Sequence, residues 1–217
     1  MIRGVIFDLD GVLVSTDELH YQAWKRLAKE LGIMNFTKED NEKQRGVSRM
    51  ASLEIVLEKG NQIYSNEEKL IFAERKNEYY KEMLNSLDSS AVLHGVFEIL
   101  DKLRNQHISI GVGSASKNTP MILEKTGLAP YIDEVSCGLD TTLSKPHPEV
   151  FQIAARKLKL SAGECLVVED SAAGIEAAKA AGMKSLGVGP YYMTLGASYA
   201  ATGLNAATID WEKILQG

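Results

Sequence analysis

The sequence predicts a doubly wound α/β fold: a Rossmann-like parallel sheet core into which a helical cap domain is inserted. Three observations predict it. Short runs rich in β-branched residues alternate with helical stretches. The runs are mostly apolar, as expected of parallel strands covered on both faces. Each is closed by Gly, Ser or an acidic residue. Strand-helix-strand order of this kind belongs to a doubly wound sheet.

The strand candidates are Ile2 to Leu9, Ile108 to Gly113, Glu134 to Cys137, Cys165 to Val168 and Ser185 to Val188. Helices are expected at Val96 to Asn105, Pro120 to Thr126, Glu149 to Leu158 and Ser171 to Ala181. The stretch from Thr16 to Ser90 breaks the alternation and contains no convincing strand. It reads as helices, among them Asp17 to Leu31, Ser48 to Lys59 and Glu67 to Leu84. In the first, Leu19, Ala23, Trp24, Leu27, Ala28 and Leu31 recur at helical spacing, as in a one-sided apolar stripe. Roughly 70 residues of helix are too long for a βα loop and are expected to form a separate cap. The chain thus divides into a core of residues 1–14 and 93–217 and a cap of residues 15–92. The hinges fall near Leu13-Val14-Ser15 and Val92-Leu93.

Composition narrows the function. The 217 residues suit one large domain or a core with an insert. A net charge of −5 argues against nucleic acid or an anionic membrane as partner, because both reward excess Lys and Arg. No apolar run approaches the ~20 residues needed to span a bilayer. The N-terminus goes straight into a strand-like run and lacks the features of a secretory signal, so a cytoplasmic location is expected. Cys137 and Cys165 lie far apart without metal-type spacing. Both are expected to be reduced and buried. A monomer is expected, because no exposed apolar stripe is evident.

The first strand ends Val5-Ile6-Phe7-Asp8-Leu9-Asp10-Gly11. A buried strand running into two carboxylates is unusual, since an unpaired charge is costly in a core. Strand alternation points Asp8 and Asp10 the same way. Ligands of open α/β sheets bind at the carboxyl ends of strands, where these acids stand. Alone, Asp-x-Asp is no more than an acidic turn. Three further strand ends add Ser114, then Lys145 in Ser144-Lys145-Pro146, then Glu169-Asp170. Singly these read as a turn residue, a surface charge and a helix cap. Together they bring acids, a hydroxyl and a lysine to one rim.

That set suits phosphoryl transfer. Crowded carboxylates repel, and a hard divalent cation relieves the repulsion. Magnesium takes oxygen ligands and usually shares a phosphate oxygen. A carboxylate can attack phosphorus and split transfer into two steps. Lys145 and the Ser114 hydroxyl can hold the phosphoryl oxygens. A second carboxyl two residues along can move the proton on the leaving or attacking oxygen.

These motifs, in this order, resemble the haloacid dehalogenase superfamily along essentially the whole chain. The resemblance is closer to its β-phosphoglucomutase family. Thr16 and His20, Gly46-Val47-Ser48-Arg49 with Ser52, Arg75-Lys76-Asn77 and Ser114-Ala115-Ser116-Lys117-Asn118 carry it. It implies Asp8 as nucleophile and Asp10 as general acid/base. It implies a magnesium ion at Asp8, the Asp10 backbone carbonyl and Asp170, with Glu169 alongside. Ser114 and Lys145 would hold the transferring phosphoryl group. Arg49, Ser116, Lys117 and Asn118 would hold the other phosphate of a small sugar phosphate. Thr16 would belong to the hinge, while His20, Gly46, Ser52 and Lys76 would lie where the cap meets substrate. A second anion site makes sense for a mutase, which must hold a bisphosphate in two orientations. Arg suits bidentate phosphate recognition, and the Ser116-Lys117-Asn118 run precedes a helix.

The reaction so implied converts β-D-glucose 1-phosphate to glucose 6-phosphate through an aspartyl-phosphate enzyme and a 1,6-bisphosphate. The alternatives are a sugar-phosphate phosphatase with the same nucleophile and a binding protein with a vestigial site. A phosphonate-cleaving relative would need a Schiff-base lysine in the cap, which the Arg49 context does not suggest. One departure from the family stands at the second hinge, where His94 precedes Gly95 in place of the common Pro. His94, His107 and His147 match no motif and are read as structural.

Overall fold

The computed structural model describes residues 1–205 and 207–216. Six strands form one sheet: β1 (Gly4–Phe7), β2 (Ser109–Gly113), β3 (Glu134–Ser136), β4 (Cys165–Glu169), β5 (Lys184–Gly187) and β6 (Tyr199–Ala200). Their order is β3-β2-β1-β4-β5-β6, and every neighbouring pair is parallel. β1 lies at the centre, with Phe7 level with Val112 on one side and Val168 on the other. The strand order reverses between β1 and β4, so the crevice at their carboxyl ends is where ligands of such sheets bind.

Alternation along β1 explains the two layers of cover. Val5 and Phe7 face one apolar cluster with α5 (Val96–Asn105), α6 (Thr119–Lys125) and α9 (Trp211–Gln216). Ile6 faces the other, with α7 (Glu149–Lys157) and α8 (Ala172–Ala180). The central strands β1 and β4 bury both faces, which is why their sequence reads as nearly continuous apolar residues.

Between β1 and α5 stand α1 (Asp17–Glu30), α2 (Lys38–Glu42), α3 (Arg49–Leu57) and α4 (Asn66–Leu84). They enclose their own apolar cluster, in which Trp24 and Leu27 of α1 meet Leu53 and Val56 of α3 and Ala73 of α4. Ala23, Tyr80 and Leu84 join the main core and seat this layer on the sheet domain. The chain passes between the layers twice, and the two passages pair. Val14 bridges Val92 antiparallel, flanked by Ser15 N–H to Ala91 O (2.8 Å) and Leu93 N–H to Leu13 O (3.0 Å).

The doubly wound expectation holds, with differences at the edges. The first strand is shorter than Ile2 to Leu9 because Ile2 N–H bonds Leu215 O, outside the sheet, and the chain turns at Gly11. α2, α9 and β6 were not anticipated. α2 has five residues, too few for a periodic stripe, although the Thr37–Asp40 capping box marks its start. β6 has two residues and no pattern to read. Both cysteines are free and buried. His107 ends α5 in the left-handed region (φ 56), and His147 Nδ1 accepts the Glu149 N–H, so both have local backbone roles. No described helix is long and apolar enough to cross a membrane.

Candidate active site

Asp8 follows β1, and its own N–H bonds Val168 O, which fixes it beside the end of β4. Lys145 arrives from the loop before α7 and places Nζ 2.5 Å from Asp8 Oδ1 and 2.6 Å from Glu169 Oε1. Its side chain is 1% exposed, so a buried ammonium is matched by two buried acids. Glu169 turns its other oxygen to the N–H and hydroxyl of Ser171, at 2.7 and 2.8 Å. Ser171 then caps α8 by accepting the Gly174 N–H at 3.1 Å. A Cβ on Gly174 would fall 1.8 Å from Glu169 Oε1, so only glycine leaves room for this acid. Burial lifts the Asp8 carboxyl well above the ordinary range, with Lys145 opposing and Glu169 and Asp170 reinforcing the rise.

Asp10 is held from behind by the Thr16 hydroxyl, which donates to Oδ1. Burial raises the Asp10 pKa to about 6, against the pull of that hydrogen bond. Across the cavity, Lys76 Nζ lies 2.9 Å from His20 Nδ1 and sits over the rings of Trp24 and Tyr80. Burial brings Lys76 down to about 7 and holds His20 well below its usual value. This corner of the cap is therefore poor in charge near neutral pH.

The remaining cap residues come from one loop and the start of α3. Ser48 accepts the Ala51 N–H and begins the helix, which puts Arg49 in its first turn. Arg49 Nη1 donates to Glu74 at 3.1 Å. Ser52 is buried one turn on, and its carbonyl accepts from Gln44 Nε2 at 3.0 Å. Gly46 packs on the core: a Cβ there would lie 2.5 Å from Ser171 Oγ. On the core side, buried Ser114 accepts the Ser116 N–H, and Ser116 Oγ accepts the Asn118 N–H. Asn118 Nδ2 reaches across to Asn77 Oδ1 of α4 at 3.0 Å and ties the layers together. Lys117 is exposed at the mouth.

One cavity of about 500 Å³ collects these groups. Asp8, Asp10, Ser114, Ser116, Lys117, Asn118, Lys145 and Asp170 line its core wall. His20, Gly46, Arg49, Ser52 and Lys76 line its cap wall. Thr16 and Glu169 stand behind it, on Asp10 and Lys145 respectively. Sequence reasoning missed Arg45, which bonds Asp17, Glu42 and Asp170. Its one sequence signal is adjacency to the Gly46-Val47-Ser48-Arg49 run; nothing marks a contact with an acid 125 positions further on.

A cation was expected at Asp8, the Asp10 backbone carbonyl and Asp170, with Glu169 alongside. Among the described residues no three His, Cys, Asp or Glu side chains gather as a metal cluster. Glu169 is engaged by Lys145 and Ser171, and the Asp10 side chain holds Thr16. Asp8 and Asp170 remain. Lys145 occupies Oδ1 of Asp8 and Arg45 occupies Oδ2 of Asp170, which leaves each acid its other oxygen. Burial and the neighbouring Glu169 raise Asp170 to about 7, against the pull of Arg45. Two carboxylates beside a backbone carbonyl fit magnesium, which commonly takes one or two carboxylates and completes its shell with water and phosphate.

Fold and site together define a capped α/β protein whose acids converge at the switch point of its sheet. Residues 5–188 match the haloacid dehalogenase-like hydrolase family. The chain is an enzyme of that family. It is 38% identical to the β-phosphoglucomutase of Bacillus subtilis, over 98% of this chain and 96% of that one. The crystal structure of β-phosphoglucomutase from Clostridium difficile superposes with a TM-score of 0.92 at 38% identity, covering 100% of this chain and 96% of that one. The phosphorylated carbohydrates phosphatase of Thermotoga maritima is 28% identical over 85% of this chain and 84% of that one.

Proposed function

We propose that the protein is a phosphomutase that converts β-D-glucose 1-phosphate to glucose 6-phosphate through an aspartyl-phosphate enzyme and the 1,6-bisphosphate. The observation that carries the reading is the distribution of cations around one cavity. Lys145 and Lys117 approach from the core and Arg49 from the cap, with Asp8 at the buried end of a strand. A ligand with two anionic groups satisfies that wall; a monophosphate leaves part of it unused.

The chemistry follows from what each group does. In the phospho-enzyme, Asp8 carries the phosphoryl group. The sugar 6-hydroxyl attacks phosphorus, its proton passes to Asp10, and the bond to the Asp8 oxygen breaks. The bisphosphate then turns end for end. Asp8 attacks the phosphorus at position 1, Asp10 returns its proton to the departing sugar oxygen, and glucose 6-phosphate leaves. A carboxyl near 6 exchanges protons readily at neutral pH, and the Thr16 bond keeps it in place. Lys145 and Ser114 hold the transferring group, while Arg49, Ser116, Lys117 and Asn118 hold the other phosphate. His20, Gly46, Ser52 and Lys76 face the sugar. Magnesium, held by Asp8, Asp170 and the Asp10 carbonyl, would neutralise charge on the transferring phosphoryl group. The helical layer, residues 15–92, acts as a cap that excludes water, because hydrolysis of the aspartyl phosphate is the wasteful branch.

The test is to mix the protein with magnesium, β-D-glucose 1-phosphate and a trace of the 1,6-bisphosphate, then follow glucose 6-phosphate and inorganic phosphate together. Glucose 6-phosphate without matching phosphate is expected. Phosphate release alone would make the protein a phosphatase and reduce Arg49 and Lys117 to substrate selection.

A further inference from the structure

Arg45 makes three ion pairs, one through each of its nitrogens. Nε meets Glu42 at 2.8 Å, Nη2 meets Asp17 at 2.5 Å and Nη1 meets Asp170 at 2.6 Å. The first two partners belong to the helical layer and the third to the core. The Arg45-Gly46 loop therefore seats on the Asp170-Ser171 loop through one ion pair and one glycine contact. We infer that Arg45 couples the position of the cap to the affinity of the cation site, by bringing a fixed positive charge against the acid that the cation shares. This rests on the reading of Asp8 and Asp170 as cation ligands.

The geometry gives the coupling its sign. Arg45 is not the sole restraint on Asp170. It is 5% exposed and packed against Gly11, where a Cβ would lie 2.1 Å from its Oδ2. Loss of Arg45 therefore removes charge more than order. Asp17, Glu42 and Asp170 would be left without their shared counter-charge, and a divalent cation beside them would bind more tightly. The bonds to Glu42 and Asp17 also let the guanidinium give up Asp170 without leaving its place. A second cavity of about 310 Å³, walled by Asp17, Arg45, Asp170 and Gly189, adjoins the guanidinium. Coupling is reciprocal, so a bound cation loosens the Arg45 contact and with it the seating of the cap.

The experiment is titration of the substrate-free protein with Mn²⁺ as the probe, followed by electron paramagnetic resonance. Arg45→Gln is expected to bind Mn²⁺ about tenfold more tightly than wild type, from the loss of one unit charge a few ångströms away. Arg45→Lys keeps the charge and should stay within about twofold of wild type. Circular dichroism melts confirm that both variants are folded. Unchanged or weaker binding in a folded Arg45→Gln variant overturns the inference and leaves the mutase reading intact, since that reading is assayed by product. Absence of Mn²⁺ binding in wild type overturns the inference together with the assignment of Asp8 and Asp170 as ligands.

Discussion

Lys145 in the core and Arg49 in the cap face the same cavity and are held in opposite ways. The Lys145 side chain is 1% exposed and lies within 2.6 Å of two acids that are themselves buried. Arg49 is 21% exposed and has one ion pair, at 3.1 Å, with a glutamate that is 60% exposed. A buried charge matched on two sides has one position. A charge at a wet edge with a solvated partner exchanges that partner at little cost. The core thus fixes its lysine, while the cap holds Arg49 to Glu74 by a pair that water can replace; on the proposed mechanism the first would hold the reacting phosphoryl group and the second would take the other phosphate. The same contrast runs through the packing. The sheet buries both faces, whereas the cap closes over one apolar stripe of α1 and leaves many charged side chains in water.

Four substitutions test the contrast, in falling order of effect. Asp8→Ala should lower turnover by about 10⁴-fold or more, because the covalent step has no other carboxylate in position. Residual turnover near wild type, or phosphate still trapped on the protein by acid quench, would remove Asp8 from the chemistry. Lys145→Ala leaves Asp8 and Glu169 facing each other unpaired. A loss of about 3 kcal/mol or more of unfolding free energy is expected in urea titrations. A small change would mean that the core charges are not fixed by their partners.

Lys76→Met should work the other way. The folded protein holds this ammonium near pKa 7, against 10.5 for the free side chain. Between those values the unfolded chain binds more protons than the folded one, so wild-type stability rises with pH across that window. Methionine removes the penalty. We expect a gain of roughly 2 kcal/mol at pH 7 and below, fading as pH climbs towards 10.5, with reduced activity. Melts at pH 7 and pH 10 check it: an equal shift at both would detach the effect from the charge. Glu74→Gln is the mildest. Unfolding free energy should change by less than about 1 kcal/mol, since the pair is exposed. The substrate KM should fall slightly if Glu74 competes for Arg49, and a rise would overturn that view.

The core strands were legible because burial on both faces leaves little choice of residue: Val5-Ile6-Phe7 and Leu166-Val167-Val168 have few other readings. The strand-end acids stood out for the converse reason, as charges where a strand should stay apolar. At Glu169-Asp170 the alternation divides two neighbours. Adjacent residues at a strand end point to opposite faces, so Glu169 and Asp170 could not both look into the crevice. Asp170 lines the cavity and Glu169 turns inward to Lys145. Arg45 lay beyond reach, because a lone arginine in a loop carries no sign of its partner in space. The Asn77–Asn118 bond was half visible, as both residues sit in recognised runs, but their pairing depends on how the two layers seat.

The paired passages at Val14 and Val92 carry a mechanical meaning. Two chain crossings side by side and hydrogen-bonded to each other make one pivot, like a door hung on a single edge. A layer attached in this way turns about that edge more readily than it slides along it. Thr16 stands two residues from the pivot, where a rotation displaces a side chain least, and its hydroxyl donates to Asp10. Arg49 lies much further along the chain from either crossing, so rotation about the edge would displace it more. On the proposed mechanism, the acid that moves the proton would keep its Thr16 bond through closure, and the anion clamp would be assembled only when the cap shuts.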